Sequence, residues 1–270
     1  MQFTLTGAAL AVLDSPEPER KLRRSRAAAA DWRANRITQI GTATPPSRPA
    51  RPDAPELLAP REVPRRKINA NPAGRIALLH ALAHIELNAI DLAWDIIARF
   101  TGQDLPRAFY DDWVRVADEE AKHFGMLSDR LADLGASYGD LPAHDGLWEA
   151  AEKTAHDLKA RLAIVPLVLE ARGLDVTPAM IVKLRDAGDG ESAAILQTIY
   201  EEEIGHVATG RRWFEWLCAE DSRPPAETWR ALVEHYFLGR LKPPFNAIGR
   251  TKAGMTEAWY GFAMGEEAPT

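Results

Sequence analysis

Trp113-Val-Arg-Val-Ala-Asp-Glu-Glu-Ala-Lys-His-Phe-Gly-Met-Leu127 decides how the chain is to be read. Trp113, Val116, Ala117, Phe124, Leu127 and, one turn on, Leu131 recur at steps of three and four residues, the spacing that lines up one face of a helix. Glu120 and His123 fall in the middle of that apolar stripe. Three residues along a helix give about 60° of rotation and about 4.5 Å of rise, so a carboxylate and an imidazole so spaced can grip one ion together.

The pattern returns on three other stretches. Upstream, Leu79, Leu82, Ala83, Ile90, Ala93 and Ile97 form a stripe centred on Glu86. Downstream, Leu196, Ile199, Tyr200, Val207, Gly210, Phe214 and Leu217 enclose Glu203 and His206, and between the two Ala163, Pro166 and Leu167 continue to Glu170. Burying one lone carboxylate costs several kcal/mol or neutralises it. Four converging in one core would repel, and two divalent cations would balance them. One Glu from each of two helices plus Glu-x-x-His from each of two more is the ligand set of dinuclear carboxylate bundles. A single Glu-x-x-His is common by chance. Glu120-Ala-Lys-His123 and Glu203-Ile-Gly-His206, alternating with Glu86 and Glu170, are far more specific. A solvated helix surface is the competing reading, and it requires the apolar stripes to be coincidental on all four helices.

Around these stripes the punctuation predicts an all-α chain. The first long helix runs about 73–100, its opposite face, with His84, Asn88, Asp91 and Asp95, expected to be wet. The second follows Pro106 and stops at Leu134 before Gly135, the third runs from Asp145 to Arg172, and the fourth from Gly190 to Ala219 before Pro224. A minor helix at Pro178–Ala187 separates the last two, a shorter one fits Glu227–Leu238, and Lys242-Pro-Pro-Phe245 reads as irregular. Ahead of the bundle, Glu17–Arg36 reads as a basic helix, and Gly41–Pro64 holds seven prolines, so it is an extended arm. The expected organisation is an N-terminal helix and arm over 1–71, a four-helix bundle over 72–221, and a C-terminal helix and tail over 222–270.

Composition bounds the function. The 270 residues are 46% hydrophobic with a net charge of −6, ample for a core and ordinary for a soluble protein. The single Cys218 excludes an internal disulfide scaffold and Cys-rich metal sites. No apolar run is expected to span a membrane, and the opening Met1–Leu13 lacks a basic start, so a secretory signal is not expected and the cytoplasm is the default. Between Arg20 and Lys67 there are 13 basic side chains against four acidic ones. The favoured reading is an arm laid over the bundle's acidic surface; the alternative is a grip on an anionic substrate such as tRNA.

His80–Asp95, Asp118–Phe124, Leu169-Glu-Ala-Arg-Gly-Leu-Asp175, Tyr200-Glu-Glu-Glu-Ile-Gly-His206 and Leu241-Lys-Pro-Pro-Phe-Asn246 together resemble a bacterial ferritin-like family of unknown function with a predicted di-iron carboxylate site, over nearly the whole chain. The resemblance implies a ferritin-like four-helix bundle. Its more distant relatives include tRNA-modifying di-iron hydroxylases, ferritins and manganese catalases. Related di-iron enzymes carry an acid just before the motif glutamate. That makes Glu119 and Glu202 candidate acceptors for the ligand histidines, with plain helix-surface charge as the even alternative.

The expected ligand sets are Glu86, Glu120 and His123 for one metal and Glu170, Glu203 and His206 for the other. Oxygen donors with two imidazoles suit iron, or manganese, over zinc and copper. The leading expectation is an oxygen-dependent di-iron oxidoreductase, a hydroxylase or monooxygenase fed by a separate electron donor. Ferroxidase or iron-binding activity, and a manganese catalase-like peroxidase, are the alternatives. Tyr200 is a candidate catalytic tyrosine or a core one. His156 would lie near the Glu170 face if the third helix were straight, but Pro166 should kink it. His80, His84 and His144 are expected at the surface or as caps, and Trp94, Trp213 and Trp216 as packing.

Overall fold

The computed structural model describes residues 4–64, 71–237 and 239–264; Lys67 and Leu238, which end two of the expected segments, lie outside the described residues. Among the described residues the regular elements are helical, apart from one isolated parallel bridge between Leu57 and Ala143. The chain divides into two compact units, Met1–Glu152 and Lys153–Thr270. That boundary falls inside the stretch read from the sequence as one bundle, 72–221.

In the first unit, α1 (Leu5–Leu13) is a helix where the sequence reading placed no element. Thr4 caps it by accepting from Gly7 N, and the free amides of Leu5 and Thr6 donate to the carbonyls of Gln39 and Ile40. Gly41 makes this return possible: its φ is +76°, and a Cβ there would stand 2.8 Å from Thr4. α2 (Pro18–Arg33) starts with proline at its first turn and buries Lys21, Ser25, Ala28, Ala29 and Trp32. Its small residues let it lie close against α4, where Leu22 would stand 3.2 Å from a Cβ on Gly125.

α3 (Pro72–Arg99) is capped by Asn71, and α4 (Arg107–Asp133) stops before Gly135, whose φ is +75°. These two pack along their length, and α1 packs on α3. The stripes predicted on both helices are buried except for Leu82, which is half-buried. The face of α3 expected to be wet is buried as well: His84, Asn88, Asp91 and Asp95 are at most 5% exposed. Cations from α2, from the proline-rich arm and from the end of α3 itself are the reason. Lys21 pairs with Asp91 with both side chains wholly buried, Arg51 lies 3.1 Å from Asp91 and donates to Asn88 Oδ1 at 2.6 Å, and Arg99 holds Asp95. Further along the basic segment, Arg33 binds Asp118, and Arg48 binds Asp145 and Glu152. Arg48 and Arg51 of the arm therefore sit against acidic side chains of the first unit.

An 18-residue window of α3 has mean hydropathy 1.4, apolar enough to cross a membrane by length and composition, against the expectation of no such run. It is 78% buried inside the protein, and the helix carries Glu86, Asp91 and Asp95.

In the second unit the expected single helix over Asp145–Arg172 is broken. α5 (Gly146–Lys153) closes the first unit and ends near the boundary. α6 (Leu158–Ile164) starts afresh behind an Asp157 cap that accepts from Lys159 N and Ala160 N. A π-helical turn, Val165–Glu170, follows and leads directly into α7 (Ala171–Asp186). Pro166 explains the turn. It has no N–H and its ring would collide with the carbonyl four residues back, so the regular ladder breaks there, and five-residue bonding such as Ala171 N to Pro166 O follows it. Gly173 does not end the helix, and the minor helix expected at Pro178–Ala187 is the end of α7. Glycine costs only about 1 kcal/mol inside a helix, less than α7 gains by burying Ala171, Leu174, Ile181 and Leu184.

Asp189 caps α8 (Gly190–Glu220), which packs along α7 and the π-turn. Gly210 sets that approach, since a Cβ there would stand 2.4 Å from Pro166 Cβ. α9 (Pro225–Tyr236), α10 (Ala247–Lys252) and α11 (Glu257–Tyr260) complete the unit. Trp229 of α9 is fully buried: its Nε1 donates to Ala163 O at 3.0 Å, and its ring meets Trp259 and Phe262 edge-on.

Candidate metal centre

Within the first unit, adjacent helices bring three predicted ligands together. Glu86 comes from α3, and Glu120 and His123 come from α4, one turn apart. They are 5%, 1% and 0% exposed. His123 Nδ1 lies 3.4 Å from Glu86 Oε2 and 3.4 Å from Glu120 Oε2. Each of the three offers a ligand atom within 4.8 Å of the others. Around them stand Ala83, Ile90, Val116, Ala117 and Phe124, at most 2% exposed.

The electrostatics of this trio follow from burial. Desolvation and the neighbouring Glu120 carboxylate push the Glu86 carboxyl well above the usual range, against the pull of His123. Burial alone would lower the His123 imidazole, but hydrogen bonding and charge from Glu120 and Glu86 outweigh it and raise the group to about 11. Two carboxylates and one imidazole, dry and a few ångströms apart, form an oxygen- and nitrogen-rich donor set that could hold a divalent metal ion, whose charge would relieve the carboxylate repulsion.

In the second unit, Glu203 and His206 are one turn apart on α8. His206 is 0% exposed, the Glu203 side chain 13%, and His206 Nδ1 lies 3.1 Å from Glu203 Oε1. Glu170 is half-buried at the last position of the π-turn. Irregular turns of this kind often mark functional sites because the extra residue re-aims the side chains that follow. Each Glu-x-x-His motif therefore folds as its spacing predicts, with the imidazole beside the carboxylate.

The other predicted positions divide. Glu119 accepts from Arg115 Nη1 at 3.0 Å, an ordinary pair along the helix, and Glu202 is half-buried on α8. Tyr200 Oη accepts from Asn246 Nδ2 at 2.9 Å, tying α8 to the tail segment just before α10. His156 sits in the break between α5 and α6 and meets Tyr236 Oη at 3.0 Å. His80 and His84 are buried, not at the surface. Gly139 N donates to His80 Nε2, while His84 joins Tyr138 Oη through Nδ1 and His144 O through Nε2. Trp94 is fully buried, its Nε1 donating to Ser25 Oγ, and Trp213 packs edge-on against Trp216.

Sequence reasoning missed the buried Lys21–Asp91–Arg51 cluster. Its signal was present, because Lys21 lies on the same helical stripe as Ser25, Ala28 and Trp32.

Residues 14–261 match the family described as Protein of unknown function (DUF455). An uncharacterized protein of Haemophilus influenzae is 42% identical over 213 residues, covering 76% of this chain and 73% of that one. No solved structure matches the chain. With the match running through both Glu-x-x-His motifs and the arm, the chain belongs to the DUF455 family.

Proposed function

We propose that the protein is a dinuclear metal oxidoreductase of the ferritin-like type, its two ions being iron, with manganese the alternative. Glu86, Glu120 and His123 would hold one ion, and Glu170, Glu203 and His206 the other. The observation that carries this reading is the Glu86–Glu120–His123 trio, buried on apolar faces of α3 and α4 with His123 Nδ1 3.4 Å from each carboxylate. The second Glu-x-x-His, on α8, repeats its geometry.

Such a pair of ions, when bound, supplies two-electron reduction of O2 with electrons from a separate donor, so that a substrate C–H bond can be hydroxylated. The chain's own residues do the rest. The carboxylates fix the charge of the site, the imidazoles present one ring nitrogen each, and the wall of Ala83, Ile90, Val116 and Phe124 keeps water from the first trio.

The test is metal analysis of protein purified from its natural host, followed by oxygen uptake with a chemical reductant. Iron with reductant-dependent oxygen uptake, lost in Glu120→Ala, supports an oxygen-activating role. Iron oxidised once and retained without turnover points to ferroxidase activity, and manganese with peroxide breakdown to a catalase-like reaction. No bound transition metal refutes the proposal.

A further inference from the structure

Beside the π-turn of the second unit lies a cavity of about 160 Å³, walled by Phe237 and Phe245 and by four cationic side chains, Arg172, Arg240, Lys242 and Arg250. Asp175, the one acid among the described lining residues, is already committed. The two carboxylate oxygens accept from Arg250 Nε and Nη2 at 2.8 Å each, and Oδ1 also accepts from Asn246 N at 2.9 Å. Arg172 Nη1 donates to the carbonyls of Lys242 and Pro244, which holds that segment as one wall. Cationic side chains therefore outnumber carboxylates on the described lining, beside two aromatic rings, with Arg172 Nη1 also 3.5 Å from Asp175.

Arg250 gives the second indication. It is 2% exposed, yet its Nη1 has no hydrogen-bond acceptor among the described residues. The rings of Phe245 and Tyr260, 5.1 and 4.9 Å from its guanidinium carbon, interact with its charge but accept no N–H bond of ordinary strength. A buried cationic donor without an acceptor is unfavourable, and a ligand oxygen is the group that would satisfy it.

We propose that this cavity binds a small organic anion, a carboxylate or a phosphate monoester. Its oxygens face Arg250 and the outer cations, and its apolar body lies against Phe237 and Phe245. Pockets of this size take a head group and part of a ring, not a dinucleotide. The binding is independent of the dinuclear metal reading, and it stands or falls without metal.

Calorimetric titration of the full chain with phenyl phosphate, benzoate, inorganic phosphate and neutral benzyl alcohol tests it. Saturable binding of one ligand per chain is expected for phenyl phosphate or benzoate, and the tighter of the two names the head group. Inorganic phosphate should bind more weakly than phenyl phosphate, and benzyl alcohol should give no saturable heat. Arg250→Lys removes the fork that pairs with Asp175 and can unfold the unit, so the decisive variant is Arg240→Gln with Lys242→Gln, both at exposed positions. That pair should weaken binding about tenfold. Absence of saturable binding by both aromatic anions, equal binding of benzyl alcohol, inorganic phosphate binding as tightly as phenyl phosphate, or unchanged affinity in the double variant would each overturn the proposal.

Discussion

Replacing Asp91 by asparagine tests the buried charge cluster that fastens α2 and the arm to α3. Lys21 and Asp91 are both 0% exposed, and Arg51 Nη1 lies 3.1 Å from the second carboxylate oxygen at 20% exposure. At an effective dielectric near 20, a unit pair about 3 Å apart attracts by about 5 kcal/mol, set against several kcal/mol of desolvation. The net value of the pair is therefore small, but removing only the anion is severe. Asp91→Asn leaves an ammonium in the core beside a second cation, and should cost about 3–5 kcal/mol in urea unfolding followed by tryptophan fluorescence and circular dichroism. Adding Lys21→Met should recover most of that loss, because an apolar side chain needs no counter-charge.

The pH response gives a second handle on the same cluster. Burial lowers the Lys21 ammonium below its usual value of 10.5 even with Asp91 opposing the shift. The unfolded chain then binds more protons than the folded one from the folded value up to 10.5, so stability rises with pH through that window. In Asp91→Asn the rise should be steeper and begin at lower pH. A loss under about 1 kcal/mol in Asp91→Asn, or a double variant no better than the single, would refute the reasoning.

Other perturbations are equally specific. Burial, with Arg51 adding to it, lowers His84 from 6.5 to about 4; the unfolded chain takes up this proton first, so stability should fall by up to about 3 kcal/mol as pH drops from 6.5 to 4, and an acid titration that stays flat there would contradict the assignment. Gly210→Ala places a Cβ 2.4 Å from Pro166 Cβ, and the rigid ring cannot yield, so thermal unfolding should show a loss of about 1–3 kcal/mol; an unchanged midpoint would show that α8 can shift away freely. Glu120→Gln removes one buried carboxylate of the trio and should weaken metal binding while leaving the far-ultraviolet dichroism of the helices unchanged, since glutamine keeps the buried side chain's volume and loses only its charge.

The stripes on α3, α4 and α8 were legible because apolar periodicity is the strongest local signal a sequence carries, and the Glu-x-x-His pairs stood out as charged exceptions to it. The burial of His84, Asn88, Asp91 and Asp95 was not legible. A polar helix face reads as solvated until its cover is known, and here the cover comes from Lys21 and Arg51, 70 and 40 residues away in sequence from Asp91. The rupture of the third helix had a visible cause in Pro166, but whether proline kinks, ends or widens a helix depends on packing, here against Gly210. α1 carried no periodic polar face to mark it, being buried on most of its surface.

The most direct measurement of the central claim is the number of ferrous ions bound per chain under anaerobic conditions, read by calorimetry on the full-length protein and on Glu120→Ala and His206→Ala. Two ions for the parent chain and a loss of one or both in each variant, with helicity retained, is the predicted result. No ferrous or manganous ion bound by the parent, or undiminished binding in both variants, would contradict it.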